Sequence, residues 1–183
     1  MTEIAQNPSE CCIFYQCAGA DCGYYFNAMA TLVISGIFDD DTAPDGCDKC
    51  SAINGRTIQL SNADQVNACR FFGQIPCSDG VLVCPNRPPD PPFGIPRQLR
   101  LFARASIFVQ DLFNGNYRIT VGFFVTHSKA DCTLFSIDGE GVSYELEVTG
   151  CPHGTYSVPF RSSWPLLTTC AHDGVTPVSI TLP

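Results

Sequence analysis

Twelve cysteines constrain this 183-residue chain more than any other feature of its sequence. Their number is even and they are spread over the whole length, which favours disulfides made in an oxidising environment. Structural zinc and free thiols are the alternatives, although the three histidines form no C-x-x-C…H-x-x-x-H array. The candidate disulfide cysteines are Cys11, Cys12, Cys17, Cys22, Cys47, Cys50, Cys69, Cys77, Cys84, Cys132, Cys151 and Cys170.

The single C-x-x-C motif, Cys47 to Cys50, precedes an Asn54-Gly55 turn signal and the β-patterned run Thr57 to Leu60. A redox motif of this kind is expected in a βαβ setting, and a zinc site needs a second pair of ligands. The sequence shows neither. We therefore expect bridges from this loop to hold the turn at the rim of a sheet.

Alternating and β-branched runs dominate the chain, and no segment carries a capped helical period. The best-supported element is a long hairpin around Asn114-Gly115. The sequence predicts an all-β fold, a disulfide-rich antiparallel β-sandwich of the jelly-roll kind. The predicted strands are Met29–Ile37, Thr57–Leu60, Val66–Phe72, Val81–Val83, Gln98–Val109, Asn116–Thr126, Val142–Thr149, Tyr156–Phe160, Leu166–Cys170 and Val178–Leu182.

Two regions depart from this β pattern. Residues 1–28 hold four cysteines within twelve positions and are predicted to be a cysteine-dense arm or strap. Residues 29–183 are predicted to form a single β domain. Within it, 85–96 contains six prolines, which favours an extended crossover between two sheets or a surface strap.

The net charge of −8 argues against binding to nucleic acid, since the first 48 residues contain eight acidic side chains and no Lys or Arg. The sequence contains no run of about 18 apolar residues, so it predicts no membrane span. The N-terminus lacks the basic and apolar regions of a secretory signal. A cysteine-rich chain of this kind fits a protein that is assembled in the cytosol and works outside it, on a virion or extracellularly.

Motifs for catalysis are missing from the sequence. There is no Gly-x-Ser-x-Gly elbow, no phosphate loop and no reason to select one cysteine as a nucleophile, so we predict neither an enzyme nor a cofactor. His127, His153 and His172 are expected to be exposed histidines in or near turns. Glu145 and Glu147 share one strand face, which is typical of a solvated surface rather than of a glycosidase pair.

Two weaker binding hypotheses remain open. Asp39, Asp41 and Asp45 lie in an acidic loop that could ligate calcium, although no EF-hand spacing is present and a solvated loop is the simpler interpretation. The candidate ligand-stacking residues are Trp164, Tyr24 and Tyr25, and core packing is the simpler interpretation for the tryptophan.

A strand, a C-x-x-C motif, an Asn-Gly turn with a following strand, and a later cysteine beside aromatic residues follow one another in the first half of the chain. These positions are Leu32 to Gly36, Cys47, Cys50, Asn54, Gly55, Leu60, Cys69 and Phe71. This order resembles a cysteine-rich β module of uncharacterised tailed-phage and planctomycete-type bacterial proteins. The resemblance covers Thr31 to Pro183, and its closing part includes Cys151, Cys170 and the last strand. It implies an extracellular or virion-borne β domain and brings no known catalytic residues.

These observations predict a non-enzymatic structural protein of a phage virion, a capsid decoration or a tail or fibre component. Its expected partners are other virion proteins or copies of itself, as a homo-oligomer, and not nucleic acid or a membrane. The alternative is a secreted bacterial adhesion or carbohydrate-binding module.

Overall fold

The computed structural model describes eight stretches of the chain. They are residues 28–39, 47–48, 50–62, 70–84, 98–132, 135–150, 152–158 and 170–183. At positions 111, 129 and 135–142 it describes the backbone alone.

The described residues form eleven strands and two short 3-10 turns joined by loops, and they contain no α-helix. The prediction of an all-β, disulfide-rich antiparallel fold is therefore confirmed. The 3-10 turns are Ser51–Ile53 and Cys77–Asp79. The strands are β1 Met29–Val33, β2 Ile37–Asp39, β3 Thr57–Ser61, β4 Arg70–Ile75, β5 Val81–Val83, β6 Leu99–Asp111, β7 Asn116–Lys129, β8 Phe135–Thr149, β9 Gly154–Val158, β10 Cys170–His172 and β11 Val178–Leu182.

The β6–β7 hairpin is the longest paired element. Its register runs without a break from Leu99 opposite Lys129 to Asp111 opposite Tyr117. β8 then pairs along the other side of β7, with a shift of register between Thr126 and Ser128. The predicted hairpin is present, and both of its strands extend two or three residues further than the sequence pattern indicated.

Nine strands form one antiparallel sheet in the order β8-β7-β6-β4-β3-β1-β11-β9. The ninth, β5, pairs with the first residues of β6, on the edge that β4 also uses further along that strand. β10 and β2 form a separate two-stranded sheet.

The contact between β3 and β4 is the shortest in the order of the large sheet. These strands share a single registered pair, Ser61 with Phe72. A Cβ at the neighbouring Gly73 would overlap the backbone carbonyl of Gln59, so only glycine allows the two strands to approach this closely. Buried side chains from strands on both sides of this contact belong to one core that includes Leu32, Phe71 and Ile180.

Buried and exposed side chains alternate along the strands, as expected for a sheet that packs against the core with only one of its faces. In β4 the pattern switches at every residue, and in β6 the inward positions from Leu101 to Val109 are all buried. Each fully buried large apolar side chain contributes about 1.5–3 kcal/mol relative to exposure. One continuous core therefore holds the strands of the large sheet together, while the sandwich or jelly-roll arrangement stays a prediction.

Two other predictions fall at or beyond the limits of the described residues. The cysteine-dense arm, 1–28, lies outside them except for Ala28, and so does the proline-rich segment 85–96. The strands that flank the latter are paired neighbours in one sheet, with Val83 opposite Leu99.

The predicted strand Met29–Ile37 is divided into two in the structure. β1 ends at Val33 and β2 begins at Ile37, because Gly36 takes φ +71° and turns the chain between two different sheets. A Cβ at Gly36 would lie 2.7 Å from Nε2 of His172, so the turn also depends on the missing side chain.

Candidate contact face

Four adjacent strands, in the order β3-β1-β11-β9, present an outer face that carries no charge. Alternate residues of these strands point away from the core, as their burial patterns show. We call this surface the neutral face. Its ten side chains are Met29, Thr31, Val33, Thr57, Gln59, Ser61, Thr155, Ser157, Ser179 and Thr181.

The register aligns the neutral face in rows across the strands. One row runs Gln59, Thr31, Thr181, Thr155, and the next runs Thr57, Val33, Ser179, Ser157. Hydroxyls of adjacent strands come close enough to bond, since Oγ1 of Thr155 and Oγ1 of Thr181 are 3.0 Å apart. The result is a regular array of short, mostly hydroxyl-bearing side chains with low conformational entropy to lose on contact.

The outer face of β4, β6, β7 and β8 has the opposite character, and we call it the charged face. Nη2 of Arg118 lies 2.8 Å from Oε1 of Glu147 across β7 and β8. The guanidinium carbon of Arg104 lies 4.7 Å from the ring centroid of Phe124, a cation–π geometry. Glu145 and Glu147 thus form the solvated face that their spacing predicted, with Arg118 as a cross-strand partner.

The two faces differ in the free energy of desolvation that a contact would require. Covering a charged side chain removes its hydration, and the interaction with the partner must make up for that loss. Hydroxyls and methyl groups lose far less, and each hydroxyl can both donate and accept a hydrogen bond. Of the two described faces, the neutral face is therefore the one that another molecule could cover at the lower cost in free energy.

Three disulfides lie at one end of the sheet, where β3 and β6 begin and where β4 and β7 end. We call this the disulfide end. The two cysteines of the C-x-x-C motif separate, so that each fixes a different part of the fold. The bonds are Cys47–Cys84, Cys50–Cys170 and Cys77–Cys132. The other six candidate cysteines lie outside the described residues: Cys11, Cys12, Cys17, Cys22, Cys69 and Cys151.

Asp48 organises the loop between the two motif cysteines and β3. Its Oδ1 accepts hydrogen bonds of 2.9 Å from the backbone N–H groups of Cys50 and Ser51, and its Oδ2 accepts one from the Ser51 hydroxyl. Burial alone would raise the pKa of Asp48. The bonds from Ser51 and Cys50 together outweigh that effect and lower the pKa below its usual value.

Asn54 attaches the predicted turn to β2. Its side-chain oxygen accepts from the backbone N–H of Ile37 at 3.0 Å, and its side-chain nitrogen donates to the carbonyl of Ile37 at 2.8 Å. The backbone N–H of Gly55 donates to the carbonyl of Ile34. The amide of Asn54 thus bonds to Ile37 as a paired strand residue would, which a turn signal alone does not reveal.

The prediction that the histidines are exposed is wrong for two of the three. His172 is 3% exposed and His127 is 9% exposed, whereas His153 is exposed. His172 belongs to β10, and its Nδ1 accepts a 3.0 Å hydrogen bond from the backbone N–H of Gly174. His127 belongs to β7, which runs past the point where the sequence pattern ended it. Both residues belong to paired strands, with His172 opposite Ile37 and His127 opposite Leu101, and not to exposed turns.

Arg100 joins two loops of the disulfide end. Its Nε donates to the carbonyl of Ala130 at 3.0 Å, and its Nη1 donates to the carbonyls of Ser78 and Gly80 at 3.0 and 3.3 Å. The same loops are joined covalently by Cys77–Cys132. This arginine therefore has a structural role at the disulfide end.

Most predicted ligand-binding residues fall outside the described part of the chain. This applies to Trp164, Tyr24, Tyr25, Asp41 and Asp45. The third calcium candidate, Asp39, ends β2 opposite Cys170. Where the structure describes side chains, no group of three or more His, Cys, Asp or Glu is placed to hold a metal ion.

Sequence reasoning missed the neutral face as a unit. Thr-Ile-Gln in β3 and Ser-Ile-Thr in β11 already place uncharged residues on the outward positions. The signal could be read only strand by strand, because the strands are far apart in the chain and their order in the sheet was unknown.

Among the described residues, no helix is long and apolar enough to cross a membrane.

Comparison of the chain with protein-family models, with curated proteins and with solved structures finds no match.

Proposed function

We propose that this chain is a non-enzymatic structural protein of a phage virion, a capsid decoration or a tail or fibre component, that contacts its neighbours through the neutral face. The observation that carries the proposal is the distribution of charge. In a chain with net charge −8, ten outward side chains on four neighbouring strands include no charged group. The core of a protein interface is depleted of charged residues, and the neutral face shares this property.

The disulfides support the same proposal. A cross-link restricts the unfolded chain and contributes about 2–4 kcal/mol to stability. Three such bonds suit a protein that must stay folded on a particle exposed to its surroundings, or in another extracellular place. Its partners in this proposal are other virion proteins or copies of itself.

The test is co-sedimentation of the oxidised full-length chain with its parent particle. Thr181→Lys places a charge in the middle of the neutral face, on a side chain that is already exposed. We expect it to reduce the bound fraction about tenfold or more, since an unpaired charge would be buried on contact. Thr120→Lys is the matched control, because Thr120 lies opposite Glu145 on the charged face. Equal binding of both variants and the unmodified protein would contradict the proposal.

A secreted adhesion or carbohydrate-binding module is the second candidate. The observation in its favour is the regular array of hydroxyls on the neutral face, which could bond to an uncharged glycan. Binding of neutral polysaccharides that Thr181→Lys abolishes, together with no binding to any particle, would select this candidate. Quenching of Trp164 fluorescence by the glycan would add the predicted stacking residue to the site.

A further inference from the structure

The two strands at the ends of the large sheet's order, β8 and β9, differ in the charge of their side chains. An open strand edge offers unpaired backbone groups to any other strand, and proteins commonly protect such edges with charged side chains. The charges on the two strands therefore indicate which edge is protected.

β8 carries its own protection. Glu145 and Glu147 point outward from this strand and are exposed. If two copies of β8 paired antiparallel about Leu146, Glu145 of each copy would lie directly opposite Glu147 of the other. Like charges in directly opposite positions destabilise a pair of strands.

β9 has no such protection. Its five residues, Gly-Thr-Tyr-Ser-Val, carry no charge, and all five pair with β11 on one side. On its other side no strand is paired with it in the described part of the chain. The sequence places Pro152 shortly before the strand and Pro159 directly after it, which limits how far a new pairing could extend.

We propose that β9 pairs antiparallel with β9 of a second copy, about a twofold axis at Tyr156. Residues directly opposite each other on antiparallel strands point to the same face of the sheet. The twofold axis must therefore lie between two copies of the same residue. An axis at Tyr156 gives the longest overlap and sets Thr155 opposite Ser157 twice. The hydroxyl pairs then lie on the neutral face, and the two half-buried Tyr156 rings meet on the core side.

The pairing joins two neutral faces into one. The combined sheet would run β3-β1-β11-β9 in one copy and β9-β11-β1-β3 in the other, with twenty uncharged outward side chains, twice the ten of one chain. The inference rests on the proposed function, since it names a copy of the chain as one of the neighbours. It adds the edge, the symmetry and the register of that contact.

Analytical ultracentrifugation of the oxidised full-length chain across a concentration series tests this pairing. The unmodified protein is expected to dimerise. Thr155→Lys with Ser157→Lys sets lysines opposite each other at both positions and should raise the dimer dissociation constant about tenfold or more. Thr155→Lys with Ser157→Glu sets opposite charges together in the same register and should restore the dimer.

The outcomes separate the register from a general effect of charge. A chain that is monomeric at every concentration overturns the proposal, and so does a dimer that the double lysine variant leaves intact. Failure of the lysine–glutamate variant to dimerise, with its fold intact by circular dichroism, overturns the axis at Tyr156. Hydrogen exchange on the unmodified protein needs no variant: the β9 amides should become more protected as the dimer forms, and unchanged exchange overturns the pairing.

The proposed function can fail separately from this inference. A dimer with the expected charge dependence that binds no particle would retain the edge pairing and remove the virion role. A chain that co-sediments with a particle as a monomer would do the reverse.

Discussion

The two ends of the sheet are stabilised by different interactions. At the disulfide end, three covalent bonds, the carbonyl contacts of Arg100 and the bonds to Asp48 and Asn54 fix loops against the strands. The opposite end holds the tip of the β6–β7 hairpin, residues 112–115, and we call it the hairpin end. Among the described residues it contains no disulfide.

The hairpin end is held by backbone hydrogen bonds. The backbone N–H of Leu112 donates to the carbonyl of Asn116 at 3.0 Å, and that of Gly150 donates to the carbonyl of Gly115 at 2.8 Å. At its tip Phe113 is 92% exposed and has φ +59°, a conformation that is costly for a bulky side chain. A well-paired hairpin tolerates this cost locally, whereas irregular loops need links to distant parts of the chain.

The largest expected effect comes from removing the bond between Cys50 and Cys170. Replacing both by Ala should lower the free energy of unfolding by about 4 kcal/mol, since the cysteines are 120 residues apart and the bond restricts much of the unfolded chain. Urea denaturation of the oxidised protein measures this. The matched control replaces Cys77 and Cys132 by Ala. Their bond spans only 55 residues of the chain, so its removal should lower the free energy of unfolding by less. An equal or larger loss in the control would contradict the difference.

Arg100→Met tests whether noncovalent contacts matter beside the disulfides. The side chain keeps its length but loses three donors to backbone carbonyls, so we expect a loss of about 2 kcal/mol. Arg104→Met is the control on the same strand and face. It removes only the contact with Phe124 and should cost about 0.5 kcal/mol. Equal effects in urea denaturation would show that the carbonyl contacts of Arg100 add nothing.

At the hairpin end the expected change has the opposite sign. Phe113→Asn should raise the free energy of unfolding by about 1 kcal/mol, because asparagine accepts positive φ far more readily than phenylalanine. Phe113→Leu keeps a bulky side chain in the same conformation and therefore should not raise the stability. Thermal denaturation of the two variants separates relief of backbone strain from loss of the exposed ring.

Acid should weaken the disulfide end first, with the smallest effect of the series. Hydrogen bonds from Thr176 lower the pKa of Asp173, and those from Ser51 and Cys50 lower that of Asp48 after offsetting its burial. A carboxylate with a lowered folded-state pKa contributes stability above its usual pKa of 3.8, and this is lost as the pH falls below about 4. Hydrogen exchange at pH 5 and pH 3 should show earlier opening of 50–56 and 173–176. Asp48→Asn should reduce that pH dependence at 50–56 only.

Local sequence signals predicted the strands well where the pattern was long or sharply bounded. Val81–Val83 and Val178–Leu182 have the predicted bounds, and the long hairpin has the predicted partners. The strand predicted for Met29–Ile37 failed as one element because the break at Gly36 depends on a distant ring, that of His172. Gly115 takes a positive φ of +81°, as a turn glycine commonly does, but the positive φ of Phe113 was unexpected, since a bulky residue rarely adopts it.

The candidate site was harder to predict than the strands. Whether outward residues of β1, β3, β9 and β11 form one surface depends on which strands are neighbours. That order joins segments from both ends of the described chain, and periodicity carries no information about it. The partners of Cys47 and Cys50 were equally inaccessible, because twelve cysteines allow very many pairings.

The long separation between Cys50 and Cys170 also affects how the protein is made. At a synthesis rate of about 5–20 residues per second, Cys50 waits roughly 6–24 s for its partner to be translated. Strand β1 waits for the same part of the chain, since Thr31 pairs with Thr181 in β11. Oxidation during translation would therefore expose Cys50 to wrong partners. Correct pairing is favoured when the finished chain folds first and is oxidised afterwards.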